Sequence, residues 1–163
     1  MSVAVLTVSD AGAAGQRPDE SGPAVVRMVT EAGFSLEGTA MVPDDQDGIE
    51  AALRHWADGV GVDLVLTTGG TGLGPRDVTP EATQAVVDRE VPGIPEAMRA
   101  AGMRVTPHAS LARQVAGQRR STLIVNLPGS PKAARESLEA VIAALPHAVS
   151  VVRRPASGTA RQS

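Results

Sequence analysis

The sequence contains no cysteine and almost no aromatic residues. Without cysteine, the chain can form no disulfide, has no thiolate metal ligand and has no thiol nucleophile. Phe34 and Trp56 are the only phenylalanine, tyrosine or tryptophan residues, which is too few for the stacking surface that single-stranded nucleic acids require. The net charge of −3 gives no general attraction to phosphodiester backbones. We therefore expect no nucleic-acid partner.

Long apolar runs and zinc-like histidine spacings are also missing. No apolar stretch is long enough for a transmembrane helix, so we expect no membrane partner. The N-terminal segment has no basic region and does not resemble a signal peptide, which favours a cytoplasmic protein. His55, His108 and His147 are scattered along the chain, and their spacing does not indicate a zinc site.

The order of apolar patterns indicates the fold class. Short β-branched runs alternate with helical patterns, which predicts a single α/β domain with a mainly parallel sheet and helices on both faces. We predict that this domain covers residues 1–152 and that the Arg-, Pro- and Ser-containing tail, 153–163, is disordered. Strands are predicted over 3–8, 36–42, 64–68 and 122–127, helices over about 21–33, 80–89, 92–103 and 131–144, a short helix over 110–115, a loop over 9–19 and a turn over 117–120.

A glycine-rich loop, Gly69-Gly70-Thr71-Gly72, follows the third predicted strand. Arg76 and Asp77 come next, and a helix is predicted to begin with Thr79 as its cap. Backbone N–H groups beside a helix start can bind an anion, whereas Asp77 would repel a phosphate unless a cation lay between them. The segment therefore predicts a magnesium–nucleotide or magnesium–phosphate site in an enzyme. It matches neither the P-loop nor the dinucleotide-binding pattern, and an ordinary strand-to-helix turn is the alternative.

Three other predicted strands also end in unusual residues. Ser9-Asp10 follows the first strand, Asp44 follows the second and Pro128-Gly129-Ser130 follows the last. In a parallel sheet these ends lie on one edge, where ligands bind. Lys132, the only lysine, falls in the first turn of a predicted helix, where its charge opposes the helix dipole and so suggests a nearby anion.

Asp44 and Asp77 are candidate magnesium ligands because Mg²⁺ takes one or two carboxylates and completes its shell with water and phosphate. One of them can instead hold the metal while the other orients a nucleophile. Residues Asp45 and Asp47 are alternatives to Asp44, although a residue such as Asp45 is more often the cap of the following helix.

These motifs together resemble the MogA/MoaB family of molybdenum-cofactor biosynthesis, whose domain type also forms the G domain of gephyrin. The matching segments are VSD, DESGPAVV, VPDD, TTGGTG, PRDVTPEAT and NLPGSPK, in one register from about residue 3 to residue 152. The resemblance implies a three-layer α/β/α sandwich, a homotrimer and a molybdenum-insertion protein as a partner.

The resemblance also implies an activity, molybdopterin adenylyltransferase, with ATP and molybdopterin as substrates and Mg²⁺ as cofactor. Asp44 and Asp77 fall on the family's essential acids and are the implied catalytic and magnesium-binding residues. The implied substrate- and nucleotide-binding residues are Ser9, Asp10, Gly69, Gly70, Thr71, Gly72, Arg76, Arg113, Pro128, Gly129, Ser130 and Lys132.

One position departs from the family pattern. Ala112 stands where the family commonly has a serine of the substrate pocket, although Arg113 is retained. A non-catalytic molybdopterin-binding carrier of the same fold is therefore the main alternative to an enzyme. A trimeric assembly module like the gephyrin G domain is a second alternative, for which 163 residues leave little room for a partner-binding segment.

Overall fold

The computed structural model describes residues 1–155 and contains a six-stranded, mostly parallel sheet, which confirms the predicted α/β class. The strand order is β2-β1-β3-β6-β5-β4. Strands β2, β1, β3 and β6 run parallel, and at one edge β5 pairs antiparallel with both β6 and β4. The strands are β1 (Ser2–Val8), β2 (Ser35–Val42), β3 (Leu64–Thr68), β4 (Arg89–Glu90), β5 (Ala116–Arg119) and β6 (Thr122–Leu127).

Helices cover both faces of this sheet because alternate side chains of its central strands point to opposite sides. The helices are α1 (Asp10–Ala13), α2 (Ser21–Glu31), α3 (Gln46–Arg54), α4 (Thr79–Val86), α5 (Gly93–Met103), α6 (Pro131–Val141) and α7 (Leu145–Val152). Val3 and Val5 belong to a core cluster with α2, α5, α6 and α7, whereas Ala4 and Leu6 belong to a cluster with α3 and α4. None of the helices within residues 1–155 has the length and apolar character needed to cross a membrane.

The antiparallel edge of the sheet was not predicted. The segment 117–120, predicted as a turn, forms strand β5 instead, and only Arg120 (φ 49°) and the next residue turn the chain into β6. The helix predicted over 80–89 ends at Val86, because the chain then extends to pair Arg89 with Gln118. Both strands are short and carry polar residues, so they lack the apolar alternation by which strands are recognised.

Several helix boundaries also differ from the prediction. The loop predicted over 9–19 contains the short helix α1, and the helix predicted over 110–115 is a 3₁₀ turn at Pro107–Leu111 followed by extended chain. Thr79 does not cap α4, because its hydroxyl donates to the Gly69 carbonyl (2.9 Å). The helix predicted over 131–144 continues through a 3₁₀ turn at Ile142–Ala144 into α7.

Arg153, which follows α7, is tied to the start of β3. The guanidinium of Arg153 pairs with Asp63, which is buried at the start of β3 and accepts a hydrogen bond from the Ser2 backbone (2.7 Å). The division into a domain over 1–152 and a disordered tail over 153–163 stays a prediction, since residues 156–163 lie outside the described part.

Gly69 lets β3 and β6 end side by side. Its N–H donates to the Leu127 carbonyl at the end of β6 (3.2 Å), and its φ of +105° directs the chain away from the sheet. A Cβ at this position would lie 2.2 Å from the carbonyl oxygen of Val8, which no packing adjustment can absorb cheaply. Glycine is therefore required here both for its φ and for the close approach of two backbones.

We predict that Gly69→Ala lowers the free energy of unfolding by about 3 kcal/mol or more, because backbone strain and a steric clash add together. Gly33→Ala is the matched control, since Gly33 also has a positive φ (+84°) but open space around its Cβ direction. That variant should lose only about 1 kcal/mol. Urea unfolding of both variants measures the difference, and equal losses would contradict the clash.

Candidate active site

The four parallel strand ends meet at one edge of the sheet and enclose a cleft of about 740 Å³. Among the predicted site residues, those from all four strand ends contribute to its lining: Ser9, Asp44, Gly69, Gly70, Asp77, Gly129 and Ser130. The arrangement follows from the parallel pairing, because the carboxyl ends of parallel strands lie on the same side.

Asp10 and Asp44 hold the first two strand ends together. The Asp10 N–H donates to the Asp44 carboxylate, and the Asp44 N–H donates to the Asp10 carboxylate, both at 2.9 Å. Arg76 adds two hydrogen bonds of 3.0 Å to the Asp10 carboxylate, which joins the glycine-rich loop to the same pair. The Arg76 hydrogen bonds hold the pKa of Asp10 below its usual value. Asp10 and Arg76 thus lie beside the cleft and support its wall.

The surroundings of Asp44 disfavour its charged form. Burial raises its pKa above the usual value, and although the Asp10 N–H bond opposes this, the nearby carboxylates of Asp10 and Asp77 raise it further. A cation placed between Asp44 and Asp77 would relieve that repulsion. The donor set suits Mg²⁺, which takes one or two carboxylates and keeps water and phosphate as its other ligands. Within residues 1–155 no group of three or more acidic or histidine side chains could hold a metal on its own.

The carboxylate of Asp77 is oriented by its own loop. Its Oδ2 accepts a hydrogen bond from the Gly74 N–H (2.9 Å), and its N–H donates back to the Gly74 carbonyl (3.0 Å). Thr79 fixes the start of the same loop, since its hydroxyl donates to Gly69 and its N–H to the Gly70 carbonyl (3.1 Å). Gly69 and Gly70 therefore present main chain rather than side chains to the cleft.

Two of the serines that line the cleft, Ser9 and Ser130, cap helices. Ser9 accepts a hydrogen bond from the Gly12 N–H (3.0 Å) at the start of α1, and Ser130 accepts one from the Ala133 N–H (3.1 Å) at the start of α6. Pro128 lies one step outside the cleft lining, where its carbonyl accepts from the Thr68 hydroxyl (2.7 Å). The Asp45 side chain caps α3 as predicted.

Four other predicted positions do not line the cleft: Thr71, Gly72, Arg113 and Lys132. The Lys132 side chain is 73% exposed, and its ammonium lies 3.7 Å from the Glu136 carboxylate one turn further along α6. Ala112 lines a separate cavity of about 180 Å³ between α5 and α6, which shares no lining residue with the cleft.

The opposite wall of the cleft contains residues that the sequence interpretation did not assign. Asp19 accepts hydrogen bonds from the Thr7 hydroxyl (2.7 Å) and from the Gly22 N–H (3.0 Å). Arg17 and Met41 line the same wall. A second cavity of about 570 Å³ adjoins the cleft at Thr7, Asp19 and Met41. The DESGP segment contained a usable signal, because aspartate before a helix commonly accepts a hydrogen bond from a backbone N–H of the first turn.

Known proteins match this chain along most of its length. A family model described as "Probable molybdopterin binding domain" matches residues 4–147. The chain is 46% identical over 144 residues to the molybdopterin adenylyltransferase of Haemophilus influenzae, an alignment that covers 86% of this chain and 73% of that protein. It is 43% identical over 155 residues to the molybdopterin adenylyltransferase of Helicobacter pylori J99, over 92% of this chain and 86% of that protein.

A solved structure agrees with this sequence similarity. The molybdopterin biosynthesis enzyme MoaB from Thermus thermophilus superposes with a TM-score of 0.89 at 55% identity, covering 93% of this chain and 95% of that one. The resemblance to the MogA/MoaB family is confirmed, and the segments that suggested it lie within the residues that the family model matches. The chain therefore belongs to the family of molybdopterin-binding domains that includes these proteins.

Proposed function

We propose that this protein is a molybdopterin adenylyltransferase, which uses Mg-ATP to adenylylate molybdopterin and releases pyrophosphate. The observation that carries the proposal is the shared cleft of Asp44 and Asp77, two acids from different strand ends that face a glycine-lined floor. Relatives that are more than 40% identical to this chain are named for this activity. A homotrimer, a molybdenum-insertion protein as partner and a cytoplasmic location stay predictions.

The proposed reaction needs positioning and charge neutralisation more than a nucleophilic side chain. An oxygen of the terminal phosphate of molybdopterin attacks the α-phosphorus of ATP and forms a P–O bond there. The bond between that phosphorus and the bridging oxygen breaks, and pyrophosphate leaves. The adjoining cavities of about 740 and 570 Å³ offer room for two substrates side by side.

The residues of the cleft have two kinds of role in the proposed reaction: the acids would hold the metal ion, and the glycines give phosphate groups access to the main chain. Asp44 and Asp77 would hold Mg²⁺, which supplies positive charge to the oxygens of the transferring phosphoryl group when it is bound. Gly69, Gly70 and Gly129 let phosphate groups approach the main chain closely. Asp10 and Arg76 keep Asp44 in place from outside the cleft.

The test of this proposal is turnover by the purified protein. Pyrophosphate release should require molybdopterin, ATP and Mg²⁺ together, and adenylylated molybdopterin should form in equal amount. Binding of molybdopterin without any consumption of ATP would contradict the enzyme and support the carrier alternative.

We predict that Asp77→Ala and Asp77→Asn each reduce kcat by on the order of 10²-fold, because a carboxylate that would hold Mg²⁺ beside the reacting phosphoryl group is lost. The asparagine can still accept from the Gly74 N–H, so a loss in both variants identifies the charge rather than the hydrogen bond. Asp47→Ala is the control, since Asp47 is an exposed acid in the first turn of α3. Wild-type turnover in Asp77→Asn would remove this carboxylate from the mechanism.

Asp44→Asn should lose activity but gain stability at neutral pH without Mg²⁺. The raised pKa of Asp44 means that the folded state disfavours its charged form. When the pH rises above the pKa that Asp44 has in the unfolded chain, its charge therefore lowers the stability of the fold, and protonation at acid pH removes this effect. The asparagine carbonyl can keep the Asp10 N–H bond. We expect the Tm to rise by roughly 1–2 °C, since solvent screens this half-exposed group.

Thermal unfolding at pH 7 in a chelating buffer measures that rise in Tm. At acid pH, where Asp44 is protonated, the Tm difference between the variant and the wild type should disappear. Added Mg²⁺ should reduce the Tm difference between Asp44→Asn and the wild type if the ion binds beside Asp44. A lower Tm of Asp44→Asn at pH 7 would contradict the electrostatic assignment.

A further inference from the structure

Arg113 makes four contacts with the segment 71–81, although it lies on a different part of the chain. Its Nε donates to the Gly72 carbonyl (2.7 Å), its Nη2 donates to the Asp77 carbonyl (2.8 Å) and its Nη1 pairs with Glu81. Its backbone N–H also donates to the Thr71 carbonyl (2.9 Å). One side chain thus holds the loop at its beginning, at its acid and at the helix that follows.

The Arg113 guanidinium binds the carbonyls of Gly72 and Asp77, which are the two ends of the turn that carries the Asp77 carboxylate. Residues 73–76 between them are exposed, and Leu73 is 67% exposed. The guanidinium is a planar fork with fixed donor directions, so contact with both carbonyls sets the distance between Gly72 and Asp77. A lysine ammonium is a compact charge on a flexible stem and cannot set that distance in the same way.

The position of the Asp77 carboxylate follows from this turn. Its Oδ2 accepts from the Gly74 N–H, and an added Cβ at Gly72 or Gly74 would lie 2.9 Å from that same oxygen. The carboxylate therefore sits closely against the turn, and any opening of the turn moves it. Because transferring groups need accurate placement, a shift of about 1 Å can cost on the order of 10²-fold in rate.

The charge of Arg113 is already neutralised by the protein. Burial alone would raise the pKa of Glu81, but its contact with the Arg113 guanidinium holds that pKa below the usual value, so Glu81 is ionised at neutral pH. Arg113 also does not line the cleft. Three of its five N–H donors are directed at the loop and α4, which leaves it poorly placed to bind a substrate phosphate.

We infer that Arg113 is a positioning residue that acts through Asp77, and that it is not the substrate ligand that the family resemblance implied. This inference rests on the proposed function, because it needs the adenylyl-transfer reaction as its readout. It assigns to one arginine the task of keeping the Asp77 carboxylate at the site where Mg²⁺ and phosphate meet.

Steady-state kinetics of Arg113→Lys and Arg113→Ala test the inference. We expect kcat to fall about 10-fold in the lysine variant and on the order of 10²-fold in the alanine variant, while KM for ATP and KM for molybdopterin change less than about threefold. The Mg²⁺ concentration for half-maximal rate should rise in both. A large rise of either substrate KM with kcat retained would overturn the inference and make Arg113 a substrate ligand.

A double-mutant cycle separates positioning from a general structural role. In an Asp77→Asn background, Arg113→Lys should cost less than about twofold further in kcat, because the carboxylate that it positions is already gone. A full additional 10-fold loss in that background would show that Arg113 acts independently of Asp77. Glu81→Gln provides a second, milder variant, which weakens the Arg113 contact and should lower kcat by about threefold with unchanged substrate KM.

Arg119→Lys is the matched control. Arg119 also joins two segments through a guanidinium, by pairing with Asp58 (2.6 Å) and donating to the Val86 carbonyl (2.7 Å), but it lies outside the cleft. Arg119→Lys should lower the Tm without changing kcat. A loss of kcat equal to that of Arg113→Lys would overturn the inference. If the wild-type protein shows no adenylyl transfer at all, the proposed function fails. If the wild type is active but the kcat losses of Arg113→Lys and Asp77→Asn are additive, only the role of Arg113 is refuted.

Discussion

The parallel pairing of β1, β3 and β6 is the constraint on which the candidate site depends. Thr7 pairs with Thr68, and Thr68 pairs with Leu127, so the three strands end at nearly the same level. Both faces of these strands are buried beneath helices. The register is fixed because a slip by one residue would move every side chain to the opposite face, where it would not fit the packing of that core cluster. Residues that are distant in sequence are therefore delivered to one edge by the core itself. The loops add chemistry to a geometry that the sheet has already set.

The parts of this structure that follow local rules were predictable from the sequence. The continuous apolar strands, the Asp45 cap and the convergence of the strand ends depend on periodicity, capping and the direction of parallel strands. The bonds from Arg76 to Asp10 and from Arg113 to Gly72 join residues that are 66 and 41 positions apart, and no local pattern encodes them. Strands β4 and β5 were not predicted because backbone pairing, of β5 with β6 and of β4 with β5, holds them in the sheet rather than apolar alternation.

The electrostatics of the cleft show a conflict between folding and the proposed activity. The Asp10 carboxylate is paired with Arg76, whereas Asp44 is half-buried beside two other carboxylates and forms no ion pair with any side chain in residues 1–155. Unfavourable groups of this kind are typical of functional sites, where stabilising interactions elsewhere in the protein offset the local loss of stability. Buried strands and the reciprocal hydrogen bonds between Asp10 and Asp44 provide that support here.

The glycines that form the floor of the cleft have a consequence for the way specificity can change. Gly129 approaches Gly69 so closely that an added Cβ would lie 3.3 Å from the Gly69 Cα, and main chain therefore packs on main chain. A floor without side chains offers few positions at which selection or engineering could reshape the recognition of a ligand. Variation must instead come from the walls, where side chains such as Arg17 and Met41 face the same space. The fold thus separates a glycine floor, which tolerates few substitutions, from walls whose side chains can change.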